Sequence, residues 1–205
     1  MNALSKSSLY LLSAYTVCIV VYAALAWNDL LLTQQLAVIA TAIVTMHEWE
    51  EQRFPGGFLE TISSALGVDT AGVSAHRMYS KPDLLIFVMS ALALFLPQFP
   101  FFACAMLVFG IIEGITHIAG IKLAHLKRPY TPGMVTGEIY AIFSIVGIVL
   151  LAQSGMVGAL DWVLAVAWFI LCFATMELSI WRVVGMKPEE IPQKVKAAIG
   201  RTRGK

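Results

Sequence analysis

The chain has 205 residues, of which 59% are hydrophobic and 13% are charged, and its formal net charge is +1. Soluble domains are usually about 45–50% apolar and about 25% charged, so this composition excludes a soluble globular protein and indicates an integral membrane protein. The three cysteines lie singly in apolar stretches without a CxxC pair, which argues against a disulfide framework or a thiolate metal site.

Six apolar stretches are candidates for membrane spans, each of which needs about 20 residues of helix. In chain order they are Leu9–Trp27, Leu30–Met46 continuing through Glu51, Leu84–Leu96, Phe101–Ile121, Met134–Gln153 and Trp162–Trp181. The third stretch is the shortest, and Pro97 and Pro100 separate it from the fourth. The sequence therefore predicts an all-α, polytopic membrane helical bundle of about six transmembrane helices.

Basic residues occur only in alternate gaps between these spans. The N-terminus, the second gap, the fourth gap and the C-terminal tail contain Lys or Arg, whereas the first, third and fifth gaps contain neither. The positive-inside rule then places both termini in the cytoplasm. A signal peptide cleaved near Ala24-Leu25-Ala26 is the alternative for the first span. Tyr10 and Trp27 favour its retention, because they resemble interfacial anchors.

All the spans are assigned to a single transmembrane domain over residues 1–186. Within it, segment 56–80 has apolar residues at helical spacing, which predicts a short helix on the membrane surface. Residues 187–205 form a basic cytoplasmic tail, which we expect to contact anionic headgroups. Membrane lipid is therefore the expected partner, and the tail requires no nucleic acid to explain its charge.

The second span closes with His47-Glu48-Trp49-Glu50-Glu51. On a helix, His47 lies one turn from both Glu50 at i+3 and Glu51 at i+4, so three potential ligands can face one point. Ionisable groups are costly to place in a membrane and usually have a functional reason. The simpler interpretation of Glu50 and Glu51 is that they are interfacial charges near Arg53.

A second pair, Glu113 and His117, lies at i and i+4 inside the fourth span. With the orientation above, both pairs occupy the cytoplasmic half of the bundle, within a few turns of each other. We therefore expect them to converge in one pocket. Glu138 and Glu177 lie at similar depths, but each is also explained as a solvated or ion-paired charge near a helix end. Glu113 and His117 are alternatively a hydrogen-bonded structural pair.

Carboxylates that share a pocket of low dielectric must take up protons, pair with cations or bind a metal. Mixed histidine and carboxylate ligands suit a divalent metal such as Zn, Fe or Mn. The predicted metal ligands are His47, Glu50, Glu51 and His117. Glu113 is predicted to be a further ligand or the catalytic general base.

The chain resembles the HXXEE-motif family of bacterial membrane proteins in two segments. The first is His47 through Glu51, followed by Arg53-Phe54-Pro55-Gly56-Gly57-Phe58. The second runs from His117 through Arg128 to Tyr130-Thr131-Pro132-Gly133-Met134-Val135-Thr136. The resemblance covers roughly residues 30 to 150. It implies a bacterial inner-membrane protein and favours the four predicted ligands, but it brings no established activity. We assign the Pro-Gly stretches of both segments a role in turning the chain.

The leading hypothesis is a membrane enzyme that acts on a lipid or apolar substrate by metal-assisted hydrolysis or oxidation. One alternative is a proton or metal-ion transporter, although alternating access would need polar groups on both sides of the midplane. Another is a structural or accessory subunit whose acids bind a partner helix. A single site requires His47 and His117 to lie within about 12 Å of each other.

Overall fold

The computed structural model describes residues 3–70, 72–127 and 129–203, and every regular element in these ranges is helical. The α-helices are α1 (Ala3–Ala26), α2 (Leu32–Gln52), α3 (Phe58–Ala65), α4 (Ala75–Phe95), α5 (Phe101–Leu123), α6 (Met134–Ser154), α7 (Ala159–Val183) and α8 (Ile191–Arg203). Short 3-10 helices at Trp27–Asp29 and Pro188–Glu190 precede α2 and α8. The predicted all-α class is confirmed for the described residues.

Five of these helices, α1, α4, α5, α6 and α7, are long and apolar enough to cross a membrane. They indicate an integral membrane protein, as the composition predicts. Helix α2 has 21 residues, the same length as α4 and α6, but it is not one of the five. The prediction of about six spans therefore depends on α2.

Helix α2 can contain more polar residues than the other long helices because those helices enclose it. It packs against α1, α4, α5 and α6. Its polar side chains find protein partners, since Gln34 Nε2 donates to the Leu94 carbonyl at 2.8 Å and Thr41 Oγ1 lies 2.6 Å from Ser90 Oγ. The most apolar windows of α4 and α5 are each 50% buried, compared with 28% in α1 and α6 and 22% in α7. Helices α2, α4 and α5 thus form the interior of the bundle.

Helix α4 begins at Ala75, nine residues before the predicted third span Leu84–Leu96. Its first turns contain Arg77, Lys81 and Asp83, which lower the hydropathy on which the span was predicted. In the structure Asp83 is only 2% exposed, because its carboxylate lies inside the bundle. The predicted surface segment is therefore divided between α3, an eight-residue helix, and the start of α4.

The two ends of the described chain lie at the same end of the bundle. In α1, Ser8 Oγ donates a hydrogen bond to Asp83 Oδ2 of α4 at 2.6 Å. At the other end of the chain, Ala198 of α8 is buried in a small core with Leu66 and Trp181. Helices α2 and α5 end here and α6 begins here, so we call this part of the molecule the α8 end. Ile191 and Val195 of the basic tail pack against this same small core.

Candidate metal centre

His47, Glu51, Glu113 and His117 meet between α2 and α5 near the α8 end, and we call these four residues the His–Glu cluster. One donor atom from each residue lies within 4.8 Å of the other three. All four side chains are enclosed by protein, and the most exposed residue, Glu113, is only 9% exposed. The Nε2 atoms of His47 and His117 are 3.4 Å apart, far inside the limit of about 12 Å for a single site.

The order of the residues along the two helices determines the arrangement. In α2 a histidine precedes a glutamate by four positions, and in α5 a glutamate precedes a histidine by four positions. Both helices run toward the α8 end, so each level of the cluster pairs one imidazole with one carboxylate. His47 Nε2 lies 3.5 Å from Glu113 Oε2, and His117 Nε2 lies 3.3 Å from Glu51 Oε1. Imidazoles and carboxylates therefore alternate around the centre.

The distances between donor atoms fit a single four-coordinate ion. Metal–ligand bonds of about 2.0–2.2 Å put the ligands of a tetrahedral ion about 3.4 Å apart. The four histidine–glutamate distances and the histidine–histidine distance all lie between 3.3 and 3.8 Å. The cluster could thus hold one ion with only small adjustments. Its two nitrogen and two oxygen donors suit Zn, Fe or Mn.

The outer nitrogens of both imidazoles are held by neighbouring groups. His47 Nδ1 lies 3.0 Å from the Gly133 carbonyl, which can only accept, so Nδ1 carries the proton. His117 Nδ1 lies 2.9 Å from the Thr131 hydroxyl, which itself donates to the His117 carbonyl at 3.4 Å. In the neutral rings these partners favour a proton on Nδ1, which directs the Nε2 lone pairs at the centre. Metal-binding histidines are commonly oriented in this way.

The first turn of α6 packs against the imidazoles through glycine. Gly133 has φ +90°, and a Cβ there would lie 2.6 Å from Glu51 Cγ and 2.7 Å from His117 Cε1. One turn later, a Cβ on Gly137 would lie 2.9 Å from His117 Cδ2. Sequence reasoning gave Gly133 only a turning role and missed Gly137. The Gly-xxx-Gly spacing is the signal that could have identified this close-packed face.

Glu50, a predicted ligand, is not part of the cluster. Its Oε2 accepts hydrogen bonds from the Thr136 amide at 2.9 Å and the Thr136 hydroxyl at 2.6 Å. Its Oε1 accepts from the Val135 amide at 3.2 Å and the Tyr130 hydroxyl at 2.8 Å. The carboxylate thus caps the N-terminus of α6, where backbone amides lack helical partners and the helix dipole favours a negative charge. It also positions the Thr136 hydroxyl, which lies 3.2 Å from His47 Nδ1.

Three aromatic side chains from other segments contact residues in or next to the cluster. The Phe58 ring of α3 lies 4.6 Å from the His117 ring, centroid to centroid. The Tyr79 hydroxyl of α4 lies 3.3 Å from the Glu51 carbonyl, which helps fix the end of α2. In the loop before α6, burial and the hydrogen bond to Glu50 raise the pKa of Tyr130 to about 12. The Tyr130 hydroxyl therefore remains a donor over the physiological pH range.

A separate pair of buried carboxyl groups lies on the α4 side of α2. Glu48 and Asp83 are each 2% exposed. Gln52 Nε2 donates to Glu48 Oε2 at 2.9 Å and to Asp83 Oδ1 at 2.8 Å, and Asp83 also accepts from Ser8. We call Glu48 and Asp83 the carboxyl pair. Sequence reasoning assigned neither residue to the site.

Glu138 and Glu177 also lie outside the cluster. Glu138 sits beside Gly114, and within the described residues its Oε1 atom is buried without a hydrogen-bond partner. Glu177 lies on α7, which packs against α5. Neither belongs to the group of donor atoms that could hold a metal ion.

Residues 38–148, more than half of the chain, match a family described as proteins of unknown function with an HXXEE motif. This range contains the whole His–Glu cluster and Glu50. No curated protein and no solved structure matches the chain. The chain therefore belongs to the HXXEE-motif family, and in its fold the histidine and the last glutamate of the motif join the cluster while the first glutamate caps α6.

Proposed function

We propose that the His–Glu cluster binds a divalent metal ion and that the protein is a membrane enzyme acting on a lipid or apolar substrate. One observation carries this proposal: two imidazole lone pairs and two carboxylates converge in a buried space. Within the described residues, no amide or hydroxyl donates a hydrogen bond to the Glu51 or Glu113 carboxylate. Such a set of acceptors is unfavourable unless a proton or a metal cation joins it, and the mixed nitrogen and oxygen donors favour the metal.

His47, His117 and Glu51 are the best candidates for permanent ligands. Glu51 is 5% exposed and lies 3.3 and 3.5 Å from the two Nε2 atoms. Glu113 is the most exposed of the four residues, and its separation from His117, at 3.8 Å, is the longest. We therefore assign Glu113 as the general base that accepts a proton from the attacking water or the substrate. The ion would supply Lewis-acid chemistry for hydrolysis or oxidation.

The proposal includes a bundle of six membrane-crossing helices with both termini in the cytoplasm of a bacterial cell. At about 1.5 Å per residue, the 21 residues of α2 extend about 32 Å, close to the hydrocarbon thickness of about 30 Å. Its polar face contacts other helices, so its lower apolarity is compatible with spanning. The basic gaps of the sequence lie at the α8 end, which supports assigning this end to the cytoplasm.

Metal analysis of the purified protein tests the centre. We expect near-stoichiometric Zn, Fe or Mn in the wild type and loss of the ion in both His47→Ala and His117→Ala. His76→Ala removes an imidazole at the start of α4, away from the cluster, and should keep the metal. A folded wild-type protein that stays metal-free after supplementation would overturn the metal centre and favour a proton-binding or structural pocket.

Two substitutions of glutamate by glutamine distinguish a metal ligand from a general base. Glu51→Gln should lose the metal, whereas Glu113→Gln should retain it and lose metal-dependent turnover of lipids in the host membrane extract. Removal of a general base typically lowers rates about 10²–10⁴-fold. Equal metal loss in both variants would make Glu113 a ligand. Metal-dependent flux of ions across vesicles without lipid turnover would instead support the transporter.

A further inference from the structure

A groove of about 400 Å³ runs between α4 and α7 on the outside of the bundle. Its walls include Leu84 and Val88 from α4 and Leu171 and Trp168 from α7. Leu84 is 61% exposed and Leu171 is 59% exposed, so the groove opens to the surroundings of the bundle. None of the residues of the His–Glu cluster lines it. The groove is therefore a separate feature with a surface suited to hydrocarbon.

Positive charge lies at the α8 end of the groove. Lys81 lines it at the α8 end, opposite Ser179. Helical spacing places Arg77 one turn before Lys81, and Arg182 three residues after Ser179, on the same faces of α4 and α7. Both arginines are exposed. Among the described residues, none of the three cations has a carboxylate within ion-pair distance. Their charge is thus available to an anion at the mouth of the groove.

The length of the groove matches one leaflet of a bilayer. Eleven positions of α7 separate Trp168 from Ser179, which corresponds to about 16 Å along the helix. Half of the hydrocarbon core is about 15 Å thick. A lipid with its phosphate at Lys81 would thus have its acyl chain beside Trp168 near the middle of the bilayer.

We propose that this groove binds one acyl chain of an anionic phospholipid, whose phosphate group is held by Lys81, Arg77 and Arg182. The proposal is independent of the metal centre. It names the class of lipid through charge complementarity, because three cations without a carboxylate partner among the described residues favour a headgroup with net negative charge over a zwitterionic one. Phosphatidylglycerol is the probe of this class, and phosphatidylcholine is the zwitterionic comparison.

Quenching of Trp168 fluorescence by lipids brominated in mid-chain tests the proposal. The full-length protein is placed in phosphatidylcholine vesicles in which the bromine is carried by either phosphatidylglycerol or phosphatidylcholine, at equal mole fraction. The Trp168 signal is the difference between the wild type and Trp168→Phe. We expect brominated phosphatidylglycerol to quench this signal at lower mole fraction. Equal quenching by the two lipids would show contact with bulk lipid only and would overturn the proposal.

Variants that remove single positive charges provide a second test of the lipid-binding proposal. Lys81→Gln and Arg182→Gln should each lower the preference for phosphatidylglycerol about fivefold. Lys122→Gln, which removes an exposed cation of α5 at the same end of the bundle, should leave the preference unchanged. Native mass spectrometry of phosphatidylglycerol retained by wild type and Lys81→Gln gives the same comparison without altering Trp168. An unchanged preference in Lys81→Gln would also refute the site.

Discussion

The two buried polar regions beside α2 are alike in burial and opposite in chemistry. Glu48 and Asp83 are satisfied by neutral donors, since the Gln52 amide bridges them and the Ser8 hydroxyl binds Asp83. In the His–Glu cluster, the Nδ1 atoms face outward to Gly133 and Thr131, and neutral imidazoles direct only acceptors at the centre. A candidate binding centre is therefore distinguished by its balance of hydrogen-bond donors and acceptors, and not by burial.

This difference makes the two regions separable by mutation. Changes around the carboxyl pair should affect folding and leave ligand binding intact. Changes around the His–Glu cluster should affect ligand binding as well. Each variant below is therefore measured for both metal content and stability.

The largest effect is expected for Gly133→Ala. The new Cβ would lie 2.6–2.9 Å from atoms of Glu51, His117 and His47, at a φ of +90°. Overpacking and the left-handed conformation together cost about 2–5 kcal/mol, and the metal should be lost. Gly155→Ala, at the other end of α6, has φ +68° and no heavy atom within 4 Å. It should cost only about 1–2 kcal/mol and retain the metal. Similar denaturation midpoints for the two variants would contradict the packing of α6 on the cluster.

Metal addition should raise the Tm of variants that keep the His–Glu cluster intact and should not raise the Tm of variants that lack one of its ligands. An ion at 100 times its dissociation constant stabilises the folded state by about 2.7 kcal/mol, which corresponds to a rise in Tm of about 5–10 °C for a chain of this size. Asp83→Asn should show the same rise from a lower starting Tm, and His117→Ala should show none. A rise in His117→Ala equal to that of the wild type would place the ion elsewhere.

Gln52→Leu removes the amide that bridges Glu48 and Asp83. Glu48 loses its donor while Asp83 keeps the one from Ser8, so the change should cost about 1–3 kcal/mol in total, while metal content stays unchanged. Gln35→Leu removes a comparable amide of the same helix, whose hydrogen bond to the Trp27 carbonyl is exposed to solvent. It should cost less than about 1 kcal/mol. Loss of metal in Gln52→Leu would show that the two regions are coupled.

The smallest effect is expected for Tyr130→Phe, which removes one of the four hydrogen bonds to Glu50. The expected cost is about 0.5–1.5 kcal/mol, together with a modest loss of metal affinity because Glu50 positions Thr136. Tyr22→Phe, at a residue that is 51% exposed on α1, is the matched control and should have no effect on either measurement. Identical behaviour of the two variants would argue against a role for the α6 cap.

The sequence predicts much of the cluster because its signals are local. The i, i+4 spacings of His47 with Glu51 and of Glu113 with His117 follow from helix geometry, and span orientation predicts a common depth. The distinction between Glu50 and Glu51 could not be predicted this way. Both are within one turn of His47, and their roles differ because α6 lies on one side of α2 and α5 on another.

Contacts at the start of α6 could be predicted only in part, because the Gly133-xxx-Gly137 spacing indicates a close-packed face but not which helices pack on it. Gly133, Gly137 and Thr131 contact the histidines because the chain turns back after α5 and α6 packs against both α5 and α2. The start of α4 was missed for a related reason. Asp83 lowers the hydropathy of its segment, yet in the structure Ser8 and Gln52 satisfy it, so a helix forms where hydropathy alone predicts none.

The interior position of α2 has a consequence for biogenesis. Its polar groups at Gln34, Thr41 and Glu48 have partners on α4 or within α2 rather than in lipid. A helix of this kind partitions poorly into a bilayer by itself. In the proposed six-span arrangement, we therefore expect α2 to enter the membrane in company with α1 and to become stable there only when α4 arrives. Because α5 and α6 follow α4 in the chain, the cluster would be completed only after α2 has found its partners on α4.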